Sequence, residues 1–380
     1  MPNFSNILGS LFGDSSNYDK IKKIELTRKT VAKEIILGLS TIKGVGTKTV
    51  EVLLKSINFS TAKFLALNNE EIINVLAKAK IPNYVKIADE ISKKKAILLE
   101  EGEKYERVLE KKGIKLLVYD ELPEKLKKIP NPPLWLFIQG NQEVLLANDK
   151  LYVAIVGTRN ASVFGKRLTK RLIQILHIYP VVIVSGLAEG IDEVAHKFSL
   201  DKKLPNIAFL GSGIEVVFPR KTKNLREEII RKGGAIVSEY LPKERYSKYK
   251  FVQRNRLQAA LSDIVIPVEA KEKSGTAHTV KFSLKYGRKV IGIKSGSKIE
   301  ELLLKHNIEI YNLETKREIR SLDRLIQEMV LGKAPEFSKV SVLLSQISNF
   351  LEYRYLSEED LEQLVISIKR LIDKGKKGEK

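Results

Sequence analysis

The 380-residue chain contains no cysteine, which excludes disulfides, thiolate nucleophiles and cysteine-ligated metals. Histidine is almost as scarce, with His177, His196, His278 and His306 the only four. None stands in an H-E-x-x-H pattern, so the residues argue against a metal centre. The α/β part of the sequence has no G-x-S-x-G nucleophile elbow and no Walker loop, and Gly211-Ser-Gly213 lacks the third glycine of a dinucleotide fingerprint. No catalytic residue, metal or cofactor is therefore expected. No apolar run approaches the roughly 18 residues of a membrane span. The N-terminal stretch Met1–Ser10 has neither the basic start nor the long apolar centre of a secretory signal. The expectation is a cytoplasmic chain without membrane contact.

What is abundant is positive charge. Lys and Arg number 67 against 46 Asp and Glu, a formal net charge of +21. Such an excess favours a polyanionic partner, nucleic acid before anionic membrane, over the bland reading of a lysine-rich composition. The hydrophobic share of 43% and charged share of 30% are ordinary, and the length suffices for two or three cored domains.

The chain is organised around residues 151–296. Three short β-branched runs, Leu151–Val156, Val181–Val184 and Asn206–Leu210, each stop at glycine, at Gly157, Ser185-Gly186 and Gly211. An amphipathic segment follows each, the signature of strand-turn-helix units in a parallel sheet. Further strands are expected at Ala235–Ser238, Asp263–Glu269 and Lys289–Ile293. Ile114–Tyr119 and Leu134–Ile138 should join the sheet edge. Ligands of such sheets bind at the carboxyl ends of the strands.

Before the sheet, helical spacing of apolar residues predicts helices over Lys20–Leu37, Glu70–Ala79 and Val85–Leu99, after a loose arm at residues 1–20. Between the first two, Gly44-Val45-Gly46 resembles the turn of a helix-hairpin-helix motif, which grips a phosphate with backbone N–H groups. Lys43 and Lys48 flank it. A plain glycine-rich turn is the structural alternative. Ser357-Glu-Glu-Asp360 predicts an N-capped helix near the end, and Lys374–Lys380 a disordered basic tail.

Arg159, Lys166, Arg167, Arg254, Arg256 and Arg288 all fall at or just beyond predicted strand ends and are expected to converge on one anion-binding rim. Basic residues in the first turn of a helix, as at Lys166 and Arg167, oppose the helix dipole unless an anion sits there. Ser274-Gly275-Thr276, opening a helix, is a good anion cradle. Asn255 could read a base or fix its loop. Tyr246, Tyr249 and Phe251 could stack on unpaired bases or pack in the core, whereas Phe218 reads as core. Asp192 and His196, one helical turn apart, read as a hydrogen-bonded brace. A second reading, a sensor or enzyme for a small nucleotide-derived ligand, would need Glu239 or Glu269 as its acid or base; either could instead pair with Arg254 or Arg256.

The ordered set resembles the DprA/Smf family. Its pieces are Gly157-Thr158-Arg159, Ser185-Gly186 through Asp192 and His196, and Gly211-Ser-Gly213. Ser238-Glu239, Phe251-x-x-Arg254-Asn255-Arg256, Glu269-Ala270, Ser274-Gly275-Thr276 and Gly287-Arg288 complete it. The resemblance implies an extended Rossmann-like, mostly parallel α/β domain at residues 105–313. A helical domain at 1–104 would precede it and a short helical extension at 314–380 would follow. It also implies single-stranded DNA as ligand, delivery to a RecA-type recombinase, a homodimer and no enzymatic activity. Carried over, Arg159, Lys166, Arg254 and Arg256 would contact phosphates, with Gly186 and Ser274-Gly275-Thr276 shaping the pocket floor. The sequence departs from the family at Phe218-Pro219 and Ser295-Gly296, and its end shows no clear winged-helix pattern.

Overall fold

The computed structural model describes residues 33–333 and 365–366. The expected arm at residues 1–20, most of the helix Lys20–Leu37, nearly all of the helix after Ser357 and the basic tail lie outside them.

Six helices come first: α1 (Lys33–Thr41), α2 (Thr47–Ser56), α3 (Thr61–Ala66), α4 (Asn69–Lys78), α5 (Tyr84–Lys94) and α6 (Leu98–Lys111). A capping box starts α4, where Asn68 Oδ1 accepts from Glu71 N at 2.9 Å and Glu71 Oε2 accepts from Asn68 N at 2.8 Å. α1 and α6 cross in close contact because Gly38 and Gly102 stand at the crossing. A Cβ on either would collide with backbone oxygen, of Leu98 or of Glu34. The helix expected over Val85–Leu99 is thus two helices. α6 runs without a break through residue 104, so the texture change placed at Tyr105 falls at Gly113.

The α/β part follows as β1 (Ile114–Val118), α7 (Glu124–Lys127), β2 (Trp135–Gly140), α8 (Glu143–Leu146), β3 (Leu151–Val156), α9 (Val163–Leu176), β4 (Val181–Ser185), α10 (Ile191–Asp201) and β5 (Asn206–Phe209). It continues with α11 (Lys223–Arg231), β6 (Ala235–Ser238), α12 (Lys248–Leu261), β7 (Ile264–Pro267), α13 (Gly275–Lys285), β8 (Lys289–Val290), β9 (Gly292–Ile293), α14 (Ile299–Lys305), β10 (Ile310–Tyr311) and α15 (Lys316–Lys333). Eight of the described strands form one sheet in the order β1-β2-β6-β5-β4-β3-β7-β8. All neighbours pair in parallel except β1 with β2 and β2 with β6. The expected last strand Lys289–Ile293 divides, because Gly292–Ile293 pairs with β10 in a separate two-stranded sheet.

Alternation along the strands builds two cores. Val153 and Ile155 face α9, α10 and α15, whereas Tyr152, Ala154 and Val156 share the opposite face with Leu257, Ala260 and Leu261 of α12. The helical segment does not stand apart. Its buried Ile35, Leu53 and Leu76 belong to one apolar cluster with Trp135 and Phe137 of β2 and Ile236 of β6. Strand order reverses at β3, whose neighbours β4 and β7 are reached in opposite directions. That switch point is where a crevice opens in doubly wound sheets. Among the described residues no helix is long and apolar enough to cross a membrane.

Candidate functional site

A cavity of about 620 Å³ opens at this switch point. Its wall is Val156–Arg159 after β3, Ser274–Thr276 at the start of α13, and one stripe of α12. The stripe is Ser247 (the N-cap), Phe251, Arg254, Asn255 and Gln258, whose spacing repeats one helical face.

Arg254 is buried under the cavity. Its Nη1 donates to the Gly186 carbonyl at 2.8 Å and also to the Phe209 carbonyl, tying together the ends of β4 and β5. A side chain at position 186 would collide with the guanidinium, which explains the glycine. Nε donates to Asn255 Oδ1 at 3.1 Å, and Asn255 Nδ2 donates to the Gly275 carbonyl at 3.0 Å. The arginine therefore fixes the first turn of α13. Burial lowers its pKa to about 10, against the pull of Asp192, so it remains charged at neutral pH. Asp192 is itself pushed up by burial, while Arg254 and the Gly186 N–H hold it down. The Gly186 N–H donates to Asp192 Oδ2 at 3.1 Å.

The expected Asp192–His196 brace is not formed. His196 Nδ1 lies 2.7 Å from Asn206 Oδ1, which also accepts from the Ser199 hydroxyl. Asn206 Nδ2 is engaged by the Leu204 carbonyl. Burial lowers the His196 pKa to about 4, against the hydrogen bond from Asn206.

The mouth is aromatic. Phe218 and Tyr246 stack with centroids 3.7 Å apart, and Phe251 lies 5.7 Å from Phe218 and 6.0 Å from Tyr246. The exposed Arg159 guanidinium rides 4.9 Å above the Phe251 ring. Phe218 thus belongs to the cavity wall and not to a closed core, while Tyr249 is exposed and does not line it.

The rim foreseen from six basic residues is only partly assembled. Arg159 and Arg254 line the cavity, with Lys248 and Lys271, which the sequence reading passed over. Arg256 faces the other side of α12, where Nη2 bonds Glu239 Oε2 in a buried ion pair. Arg288 precedes its strand and therefore sits at the opposite end of the sheet, donating to the Ala260 carbonyl at 2.7 Å. Arg167 pairs with Glu314 at 2.6 Å, and Lys166 is exposed on α9, outside the cavity wall. Ser185 is buried behind the floor, its hydroxyl donating to the Ile155 carbonyl at 2.7 Å.

Two of the expected anion cradles are closed by the chain's own carboxylates. At the start of α9, Glu269 Oε2 accepts from Ser162 N at 3.0 Å and from its hydroxyl at 3.1 Å. That carboxylate is the anion the basic first turn called for. At Gly44-Val45-Gly46, Glu244 Oε2 accepts from Thr47 N at 2.8 Å, so the hairpin turn faces the α/β part, with Lys43 and Lys48 exposed beside it. The start of α13 carries no such carboxylate among the described residues. Its N-cap Ser274 accepts from Ala277 N at 3.3 Å, and Gly275 is exposed at the cavity edge.

A doubly wound sheet with a cationic, aromatic-walled cavity at its switch point defines a Rossmann-like anion-binding protein. Residues 115–303 match the family described as DNA recombination-mediator protein A. The chain is 36% identical over 173 residues to the DNA processing protein DprA of Bacillus subtilis, covering 46% of this chain and 57% of that one. It is 38% identical over 174 residues to the DNA processing protein DprA of Streptococcus pneumoniae, covering 46% of this chain and 60% of the relative. The X-ray structure of DNA processing protein A from Streptococcus pneumoniae superposes with a TM-score of 0.55 at 24% identity, covering 74% of this chain and 95% of that one, a likeness of fold. Through its α/β segment the chain belongs to the DprA/Smf family. The aligned part spans less than two thirds of these two relatives' own lengths.

Proposed function

We propose that the cavity binds single-stranded DNA, with a phosphate at the start of α13 and bases against the aromatic mouth. The observation that carries this reading is the convergence, in one cavity, of Arg159 on Phe251, the stacked Phe218–Tyr246 pair and the open helix terminus. Stacking platforms beside a cationic groove suit unpaired strands, because every base has a π-face. The relatives' designation as DNA processing proteins supports the same ligand. The +21 charge supplies a non-specific attraction.

In this reading Arg159, Lys248 and Lys271 contact phosphates directly. Arg254 and Asn255 act from beneath by holding Gly186 and Gly275, and Arg256 is structural. The site is one of binding and not catalysis: Glu239 is engaged by Arg256 and Glu269 by Ser162. Hand-over of the strand to a RecA-type recombinase and a homodimeric state complete the proposal. They are supported by the family's description as a recombination mediator and by the sequence resemblance, respectively.

The test is competition between labelled oligo-dT and mononucleotides on wild type and Arg159→Ala. Oligonucleotide binding that weakens with salt and with the substitution supports the reading. Binding of mononucleotides alone would favour a small-ligand site, for which the 620 Å³ volume is ample.

A further inference from the structure

The cavity floor contains an unused hydrogen-bond donor. Gln258 is 1% exposed, and its Nε2 is buried without a partner among the described residues. Several other side chains carry a buried atom in that state, including Trp135, His196, Arg256 and Ser262, but Gln258 alone of them lines the cavity. Its neighbour Asn255 shows the contrast, since both ends of that amide are spent on Arg254 and Gly275. Burying an amide donor without a partner is costly, and native proteins retain such groups chiefly where a ligand completes them.

The position of Gln258 tells what the ligand presents. It stands two turns deeper along α12 than Phe251, roughly 10 Å by helical rise. A base stacked at the mouth and directed inward brings its edge, not its phosphate, to this depth. An N–H donor there is satisfied by a carbonyl oxygen. Thymine and guanine offer an exocyclic carbonyl on the edge away from the sugar, and adenine has none.

We propose that Gln258 reads the edge of one nucleobase in the cavity and makes the site prefer a keto base to adenine. This rests on the single-stranded DNA reading above and adds base selectivity to a site otherwise built from sequence-tolerant stacking and phosphate contacts. Thr279, buried beside it with its hydroxyl turned 3.4 Å from the Gly275 carbonyl, shapes the floor and leaves Gln258 as the reader.

The experiment compares oligo-dT with oligo-dA of equal length, by fluorescence anisotropy, on wild type, Gln258→Leu and Gln258→Met. Both substitutions keep the volume and remove the amide, so one remains usable if the other fails to fold. The expected result is a dT preference in wild type that falls by about fivefold in the variants, the worth of one net hydrogen bond, with the salt dependence unchanged. A dT-to-dA ratio that is the same in wild type and variants overturns the base-reading role while leaving DNA binding intact. Failure of wild type to bind either oligonucleotide overturns both readings.

Discussion

Glu244 holds Thr47 twice, its Oε2 accepting from the backbone N–H at 2.8 Å and from the hydroxyl at 2.6 Å. The Thr47 hydroxyl in turn accepts from Leu241 N at 3.0 Å, and Glu244 Oε1 pairs with Lys250 at 2.8 Å. One carboxylate thus pins α2 to the loop that brings Tyr246 to the cavity. Glu244→Ala removes charge-assisted bonds from a half-buried site and is expected to destabilise the fold by about 2 kcal/mol. Urea denaturation measures it, and a variant as stable as wild type would show the latch to be idle.

Because that carboxylate fills the start of α2, the exposed Lys43 and Lys48 can add only long-range attraction. Lys43→Ala with Lys48→Ala should weaken oligo-dT binding by less than about threefold at physiological salt, where exposed charges are screened. A tenfold loss would mean that the hairpin turn opens to take phosphate itself.

The Arg256–Glu239 pair is buried on both sides, and burial pushes the Glu239 carboxyl up while Arg256 holds it down. Arg256→Leu strands a buried carboxylate and should cost about 3–5 kcal/mol. The double substitution Arg256→Leu with Glu239→Leu should cost less than Arg256→Leu alone. Thermal or chemical denaturation decides, and equal losses would show that the pair is not coupled.

His196 gives a pH dependence. Its folded pKa of about 4 lies below the ordinary value of 6.5, so between these values the unfolded chain binds the extra proton. Stability is then greatest above pH 6.5 and falls with acid down to about pH 4, by roughly 3 kcal/mol for this residue. In His196→Gln the slope of stability against pH across that window should flatten. An unchanged slope would assign the acid sensitivity to other groups.

The strands, their glycine stops and the switch-point location were legible because apolar runs and turn glycines are local signals. The family pieces Gly157-Thr158-Arg159, Phe251 to Arg256 and Ser274-Gly275-Thr276 do meet around one cavity, or directly beneath it. The direction of each cation was not legible. Arg254 and Arg256 are two residues apart, yet a helix turns the first toward the cavity and the second toward Glu239, and this was hidden until α12 was seen to begin at Lys248. Nearly all of α12 after Gln253 is buried, so no amphipathic stripe marks its cavity face. Glu244 closing α2 is a contact across 197 residues, which spacing along the chain does not reveal.

The central claim is that phosphate binds at the rim formed by Arg159, Lys248 and Lys271. Its most direct measurement is anisotropy titration of labelled oligo-dT over a salt series, with wild type, Arg159→Ala and Lys248→Ala. The account predicts wild-type affinity falling linearly in log salt, a shallower slope in each variant, and at least a tenfold loss in Arg159→Ala, which removes both a phosphate contact and the cation over Phe251. Wild-type binding with slope and affinity untouched by either substitution would put the DNA elsewhere on the molecule and contradict the account.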